Sequence, residues 1–298
     1  MTESPASLGC GDGATWVRPV SLRTGLLAAV IAVAAGLTGC SSPEESATAA
    51  QLERDRSAVA LLDREHARVY LPTSEYKASR ELHHKQSQAY ELMIQPCLRA
   101  AGYDVPISEE SVAEDRIWGL WIVERARRNG FKLESRLAGP VEPETKEYAE
   151  IRRRCWEDAS IERDRLAGDA PEESLSVAFH VESQAAAAAK QTEEFRQLHE
   201  RYSDCLKAAG YSTQPDFFGV VEDATVFDEY GKPSEAEIRA AVAEARCNEE
   251  LDVTQTMGNL EASFSAPLVR ERQAELNVEK ERLEALERRV DEYLRTHQ

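Results

Sequence analysis

The side chains that could do chemistry here are six cysteines, the histidines His66, His83, His84 and His199, several paired acids, and the tryptophans Trp118, Trp121 and Trp156. His83-His84 invites a metal, with His66 as a third ligand. Adjacent helical residues point about 100° apart, so the pair serves one ion poorly and reads as a solvated face. His199-Glu200 lacks the second histidine of a His-Glu-x-x-His zinc site. Glu109-Glu110, Glu172-Glu173 and Glu249-Glu250 lack the alternating oxygen ligands and the glycine of a calcium loop. They read as helix starts and solvated faces. There is no Gly-x-Ser-x-Gly elbow and no phosphate-binding glycine loop. The sequence therefore assigns no catalytic residue, no metal ligand and no cofactor. Trp118, Trp121 and Trp156 could form an aromatic surface for a sugar or peptide. The competing reading is core, since Trp156 adjoins a cysteine and tryptophan often packs over a disulfide.

The cysteines carry most of the information. Cys10 and Cys40 lie in or at the end of an N-terminal leader, which leaves Cys97, Cys155, Cys205 and Cys247. An even number in an exported chain implies disulfides, and four allow three pairings. A repeat chooses among them. Cys97-Leu-Arg-Ala-Ala-Gly-Tyr103 recurs as Cys205-Leu-Lys-Ala-Ala-Gly-Tyr211, and each copy is followed by an Arg-Cys-x-Glu-acidic segment at Cys155 and Cys247. If one structural unit is used twice, the economical pairing is Cys97–Cys155 and Cys205–Cys247. Each closure is worth roughly 4 kcal/mol in the chain-entropy model. A zinc site is disfavoured by the wide spacing and the lack of a Cys-x-x-Cys knuckle, and a redox-active pair by the same lack.

The leader has Arg18 and Arg23 ahead of an apolar run from Gly25 to Gly39 that ends at Cys40. The run is shorter than the roughly 20 residues of a bilayer span and suits a signal-peptide core. Leu37-Thr38-Gly39-Cys40 resembles the lipobox of bacterial lipoproteins. That resemblance implies that Cys40 is acylated and becomes the first residue of the mature chain. An uncleaved signal anchor is the alternative. Two or three acyl chains, at about 0.8 kcal/mol per buried methylene, would hold the protein at the outer face of the cell membrane. The long polar stretch before Gly25 points to a start at Val17 rather than Met1.

The elements that position these residues read as helices. With 54 acidic and 36 basic side chains the net charge is -18, which repels nucleic acid. Ala, Glu, Arg and Leu dominate and favour helix. The domain reading is a signal peptide over 1–39, a polar tether over 40–50, one helical unit over 51–172 and a second over 173–298. A first helix is expected from Ala49 to Tyr70. A second, capped by Thr73 or Ser74, runs to Ala101, with Pro96 inside and Gly102 as its stop. One long helix extends to Ala209, stopped by Gly210. Ser234-Glu-Ala-Glu237 is a capping box, with Ile238, Val242, Ala245 and Leu251 as the stripe beyond it. This last helix continues past Gly258 and bends near Pro267. Val269, Leu276, Leu283 and Val290, with Leu286 and Tyr293, make a heptad seam. It packs on a long helix of this chain, or on an envelope protein partner.

The leader, the lipobox and the doubled Cys-Leu-basic-Ala-Ala-Gly-Tyr unit, with Arg116-Ile-Trp-Gly119 and its counterpart Phe217-Phe-Gly-Val-Val221, resemble uncharacterised lipoproteins of actinobacteria. The resemblance implies an envelope location and a helical fold, and brings no activity. The first unit departs by Pro96 and by eight extra residues between its repeat cysteine and aromatic glycine. The expectation is an all-α, disulfide-stapled lipoprotein that binds or scaffolds in the cell envelope. An envelope enzyme or substrate-binding subunit is the alternative.

Overall fold

The computed structural model describes residues 52–107, 114–132, 145–220 and 232–297. Among them the fold is all-α apart from one small hairpin, β1 (Leu61–Asp63) and β2 (Arg68–Tyr70). The helices are α1 (Arg80–Ala100), α2 (Val123–Asn129), α3 (Lys146–Asp158), α4 (Ser160–Ala167), α5 (Val177–Lys190), α6 (Glu193–Ala208), α7 (Glu235–Glu250), α8 (Val253–Glu271) and α9 (Gln273–His297). The expected signal peptide and tether, with Cys40, lie outside the described residues.

Both heptapeptides end their helices in the same way. Gly102 takes φ 90° and Gly210 φ 88°. Tyr103 N donates to Leu98 O at 2.9 Å, and Tyr211 N to Leu206 O at 2.9 Å. Gly102 N reaches Arg99 O and Gly210 N reaches Lys207 O, each at 3.0 Å. These are two Schellman closures, and a left-handed residue at C′ is what they require. The cysteine one residue before each C3 leucine is the staple. Cys97 bonds Cys155 across 58 residues and Cys205 bonds Cys247 across 42, with Cα separations of 5.6 and 5.8 Å.

The helix expected from Ala49 to Tyr70 is not formed over its described residues, 52–70. Asp63 accepts from the His66 backbone N at 3.0 Å and meets its ring at 2.8 Å, Ala67 turns to φ 54°, and the chain doubles back with Leu61 opposite Tyr70. The apolar residues of a short run satisfy helix and strand spacings alike, and the turn chemistry decides. Leu62 and Val69 pack against the main core. Ser79, rather than Thr73 or Ser74, caps α1 by accepting from Leu82 N at 3.0 Å. Pro96 stays inside α1, which runs on to Ala100.

The single helix expected up to Ala209 is two. Thr192 Oγ1 donates to Ala189 O at 2.7 Å and accepts from Phe195 N at 3.2 Å, ending α5 and capping α6 with one hydroxyl. Likewise α7 and α8 are separate. Asp252 sits at φ 52°, and Asn248 Oδ1 holds Thr254 N at 3.1 Å and Thr254 Oγ1 at 2.9 Å. Pro267 lies within α8, and the next division falls at Arg272.

The C-terminal seam packs inside the chain. Leu276 and Val290 are fully buried and Leu286 nearly so. Leu286, Val290 and Leu294 meet Leu82, Ala89 and Met93 of α1 and Leu166 of α4. Val269 and Leu276 meet Tyr76, Ala178 and Val181. Lys85 Nζ lies 3.1 Å from Asp291 at the edge of this contact. The largest core cluster draws on Trp118 and Trp121 and also on Phe195, Tyr202, Phe218 and Met257. No described helix is long and apolar enough to cross a membrane.

Candidate functional site

α7 carries Glu237, Glu244 and Asn248 on one face, seven and four residues apart. This is the buried face, whereas Ile238 and Val242 of the expected stripe are half-exposed. The polar side chains are buried because they hold backbone. Glu244 accepts from Leu120 N at 2.6 Å through Oε1 and from Val220 N at 2.7 Å through Oε2. Glu237 Oε1 accepts from Phe131 N at 3.2 Å. The capping box is therefore half-formed: Ser234 Oγ accepts from Glu237 N, and the Glu237 carboxylate faces another segment. Asn248 Nδ2 donates to Trp118 O at 2.8 Å. From α8, Glu261 accepts from the Trp118 indole at 3.1 Å.

Glycine permits the closest of these approaches. A Cβ on Gly119 would stand 2.1 Å from Phe218 O and 2.9 Å from Glu244 Oε1, and its φ is +80°. The two aromatic-glycine segments thus lie against each other, with one carboxylate clasping both.

Burial pushes the Glu244 carboxyl up to about 7, against the pull of the Leu120 and Val220 N–H groups. Burial also pushes Glu261 up to about 7, opposed by the Trp118 indole. The Tyr202 hydroxyl is raised by burial and by the nearby Glu244 charge. Perturbed carboxylates often mark active sites. Glu244, however, is 4% exposed and spends both oxygens on backbone donors, so its arrangement joins two chain segments.

The tryptophans do not assemble into an exposed surface, which corrects the aromatic-surface expectation for two of them. Trp118 and Trp121 are 5% and 2% exposed, and the Trp121 indole donates to Asp115 O at 2.7 Å. Trp156 is half-buried beside the Cys97–Cys155 staple, with Tyr90 edge-on at 5.7 Å and the Arg163 guanidinium 4.0 Å over its ring. The histidines are likewise dispersed. His66 pairs with Asp63, and His199 Nε2 lies 3.0 Å from Gln214 O. Among the described residues no three His, Cys, Asp or Glu side chains group as a metal site.

The opening that brings separate elements together is a cleft of about 290 Å³. Tyr76, Lys77 and Ala78 line it together with Ala170, Pro171, Glu172 and Glu173, His83 and Gln86 of α1, and Leu283 and Leu286 of α9. α9 fixes the linker between α4 and α5 at both ends. Arg289 donates to Leu166 O at 2.8 Å and Ala167 O at 2.6 Å, which are α4's last carbonyls. Glu279 accepts from Val177 N, the first residue of α5, at 2.8 and 2.9 Å. Lys77 is held by Glu182 at 2.7 Å, with Glu173 at 3.9 Å. The lining mixes apolar side chains with Lys77, Glu172 and Glu173, a composition that suits a small-ligand site. Sequence reasoning named His83 as part of a solvated face and Glu172-Glu173 as a helix start and solvated face. Leu283 in a heptad seam gave no sign that it lines an opening.

The chain matches no protein-family model, no curated protein and no solved structure.

Proposed function

We propose that this protein is a lipid-anchored, extracytoplasmic binding module of the cell envelope, tethered through Cys40 and using the cleft between α1, α9 and the α4–α5 linker as its binding site. The cleft is the observation that carries the binding half of this reading: apolar side chains mixed with charges of both signs, beside backbone that Arg289 and Glu279 hold in place. The lipobox-like Leu37-Thr38-Gly39-Cys40 and two disulfides support the location, since disulfides persist outside the reducing cytosol. The reading also agrees with the resemblance to actinobacterial lipoproteins.

Two measurements test it. Mass analysis of the membrane-extracted chain is expected to find an acylated Cys40 at its N-terminus, and Cys40→Ala to move the protein out of the membrane fraction. A thermal-shift screen of small amphipathic compounds is expected to give hits that Leu283→Arg, which fills the cleft, abolishes. Unmodified Cys40 sinks the anchor. Hits indifferent to Leu283→Arg sink the cleft as the site.

A further inference from the structure

From the β1–β2 hairpin we infer a second contact with the membrane, resting on the anchored reading above: its outer face lies on the lipid surface that carries the anchor. Strand alternation separates two faces. Leu62 and Val69 turn into the core. Leu61 and Tyr70 are register partners on the opposite face, 65% and 46% exposed, and Val59, two residues before Leu61, is 54% exposed. Three large apolar side chains therefore stand in water on one end of a single hairpin.

Backbone beside each strand is tied to other segments. Ala60 N donates to Asn259 Oδ1 and Gln255 Nε2 donates to Ala60 O, both at 3.0 Å. At the other strand Val69 N donates to Asp115 Oδ2 and Asp115 N to Ala67 O, both at 2.9 Å. These contacts engage backbone groups of Ala60, Ala67 and Val69, and what the hairpin presents outward is its exposed apolar side chains.

Charge and tether length select lipid as the occupant. In a chain of net charge -18, the residues 52–70 are balanced: Glu53, Asp55, Asp63 and Glu65 against Arg54, Arg56, Arg64 and Arg68. This segment can approach an anionic surface that repels the rest. The twelve residues that follow Cys40 up to Leu52 can reach at most about 40 Å. An anchored hairpin so placed meets lipid at an effective concentration in the millimolar range, so weak affinity suffices. Tyrosine beside aliphatic side chains suits the headgroup boundary.

The test uses the mature acylated chain in vesicles of phosphatidylglycerol and phosphatidylethanolamine containing nitroxide-labelled lipid. An environment-sensitive dye is placed at Leu61→Cys, at Tyr70→Cys as a second variant, and at Arg239→Cys on α7 as the comparison. The expected result is a blue-shifted dye at 61 and 70, quenched several-fold more strongly than at 239. If mass analysis finds the acyl chains and dyes at 61 and 70 stay in water, the docking falls while the anchor stands. If the acyl chains are missing, the anchored reading falls and the docking with it. If the dyes are shielded only when envelope proteins are added, a protein covers the face and lipid docking is overturned.

Discussion

Leu120 and Val220 are joined through one carboxylate. Their backbone N–H groups meet opposite oxygens of Glu244 at 2.6 and 2.7 Å. Each follows the glycine of an aromatic-glycine segment, one in each half of the chain, so Glu244 is the point at which the two related segments are held against each other. α7 delivers that carboxylate, and Cys247 on the same helix carries the staple to α6. Clasp and staple thus fix one helix to three separate stretches of chain.

Removing the clasp should be costly. Glu244→Ala leaves two buried N–H donors without acceptors, each worth about 1–3 kcal/mol. A loss of roughly 2–5 kcal/mol is expected in urea unfolding. Glu244→Gln keeps one acceptor and should lose less. Equal effects of the two variants would argue against the clasp.

The two raised carboxyls set a pH dependence. Their folded pKa values, about 7, exceed the ordinary 4.5, so between those values the native state binds more protons than the unfolded one. Stability should therefore fall as pH rises from about 4.5 to about 7, each tenfold difference in proton affinity between the two states being worth about 1.4 kcal/mol per group. The midpoint of thermal unfolding, followed across that range, should drop. Glu244→Gln combined with Glu261→Gln should flatten the profile, and a wild-type midpoint constant across this window would contradict the assignment.

The glycines separate strain from collision. Gly102 has open space around a built Cβ and only its φ of +90° to oppose substitution, so Gly102→Ala should cost about 1–2 kcal/mol. Gly119→Ala places a Cβ 2.1 Å from Phe218 O, and more than about 3 kcal/mol is expected. Chemical denaturation of the two variants ranks them, and the reverse order would refute the close approach of the two segments.

The staples should act alike. Each contributes roughly 4 kcal/mol through restriction of the unfolded chain. Cys155 and Cys247 are both buried in core clusters, so either double change to Ser, Cys97 with Cys155 or Cys205 with Cys247, also buries a hydroxyl. Both double variants should lower the unfolding midpoint by similar amounts, and a variant with an unchanged midpoint would contradict the staple it removes. Non-reducing peptide mapping is expected to recover Cys97 with Cys155 and Cys205 with Cys247.

Sequence alone determined the features that rest on local rules or on repetition. The glycine stops are legible because a left-handed C′ residue followed by an apolar side chain closes a helix wherever it occurs. The disulfide pairing is legible because a unit used twice constrains four cysteines, and the C-terminal seam because its period outlasts chance. What only the tertiary structure decided depends on long-range partners. Thr192 and Asn248 break helices through pairs of side-chain hydrogen bonds that helical periodicity does not register. Asp63 turns an apolar run into a hairpin. Glu237 and Glu244 look like surface acids, yet they are buried residues of α7, because the N–H groups they satisfy come from segments far away in the chain. The cleft exists because α9 returns to hold the ends of a linker about a hundred residues earlier. The physical reason is the same throughout: a turn or cap is settled by its neighbours, whereas the burial of a charge is settled by whichever distant donor the fold brings to it.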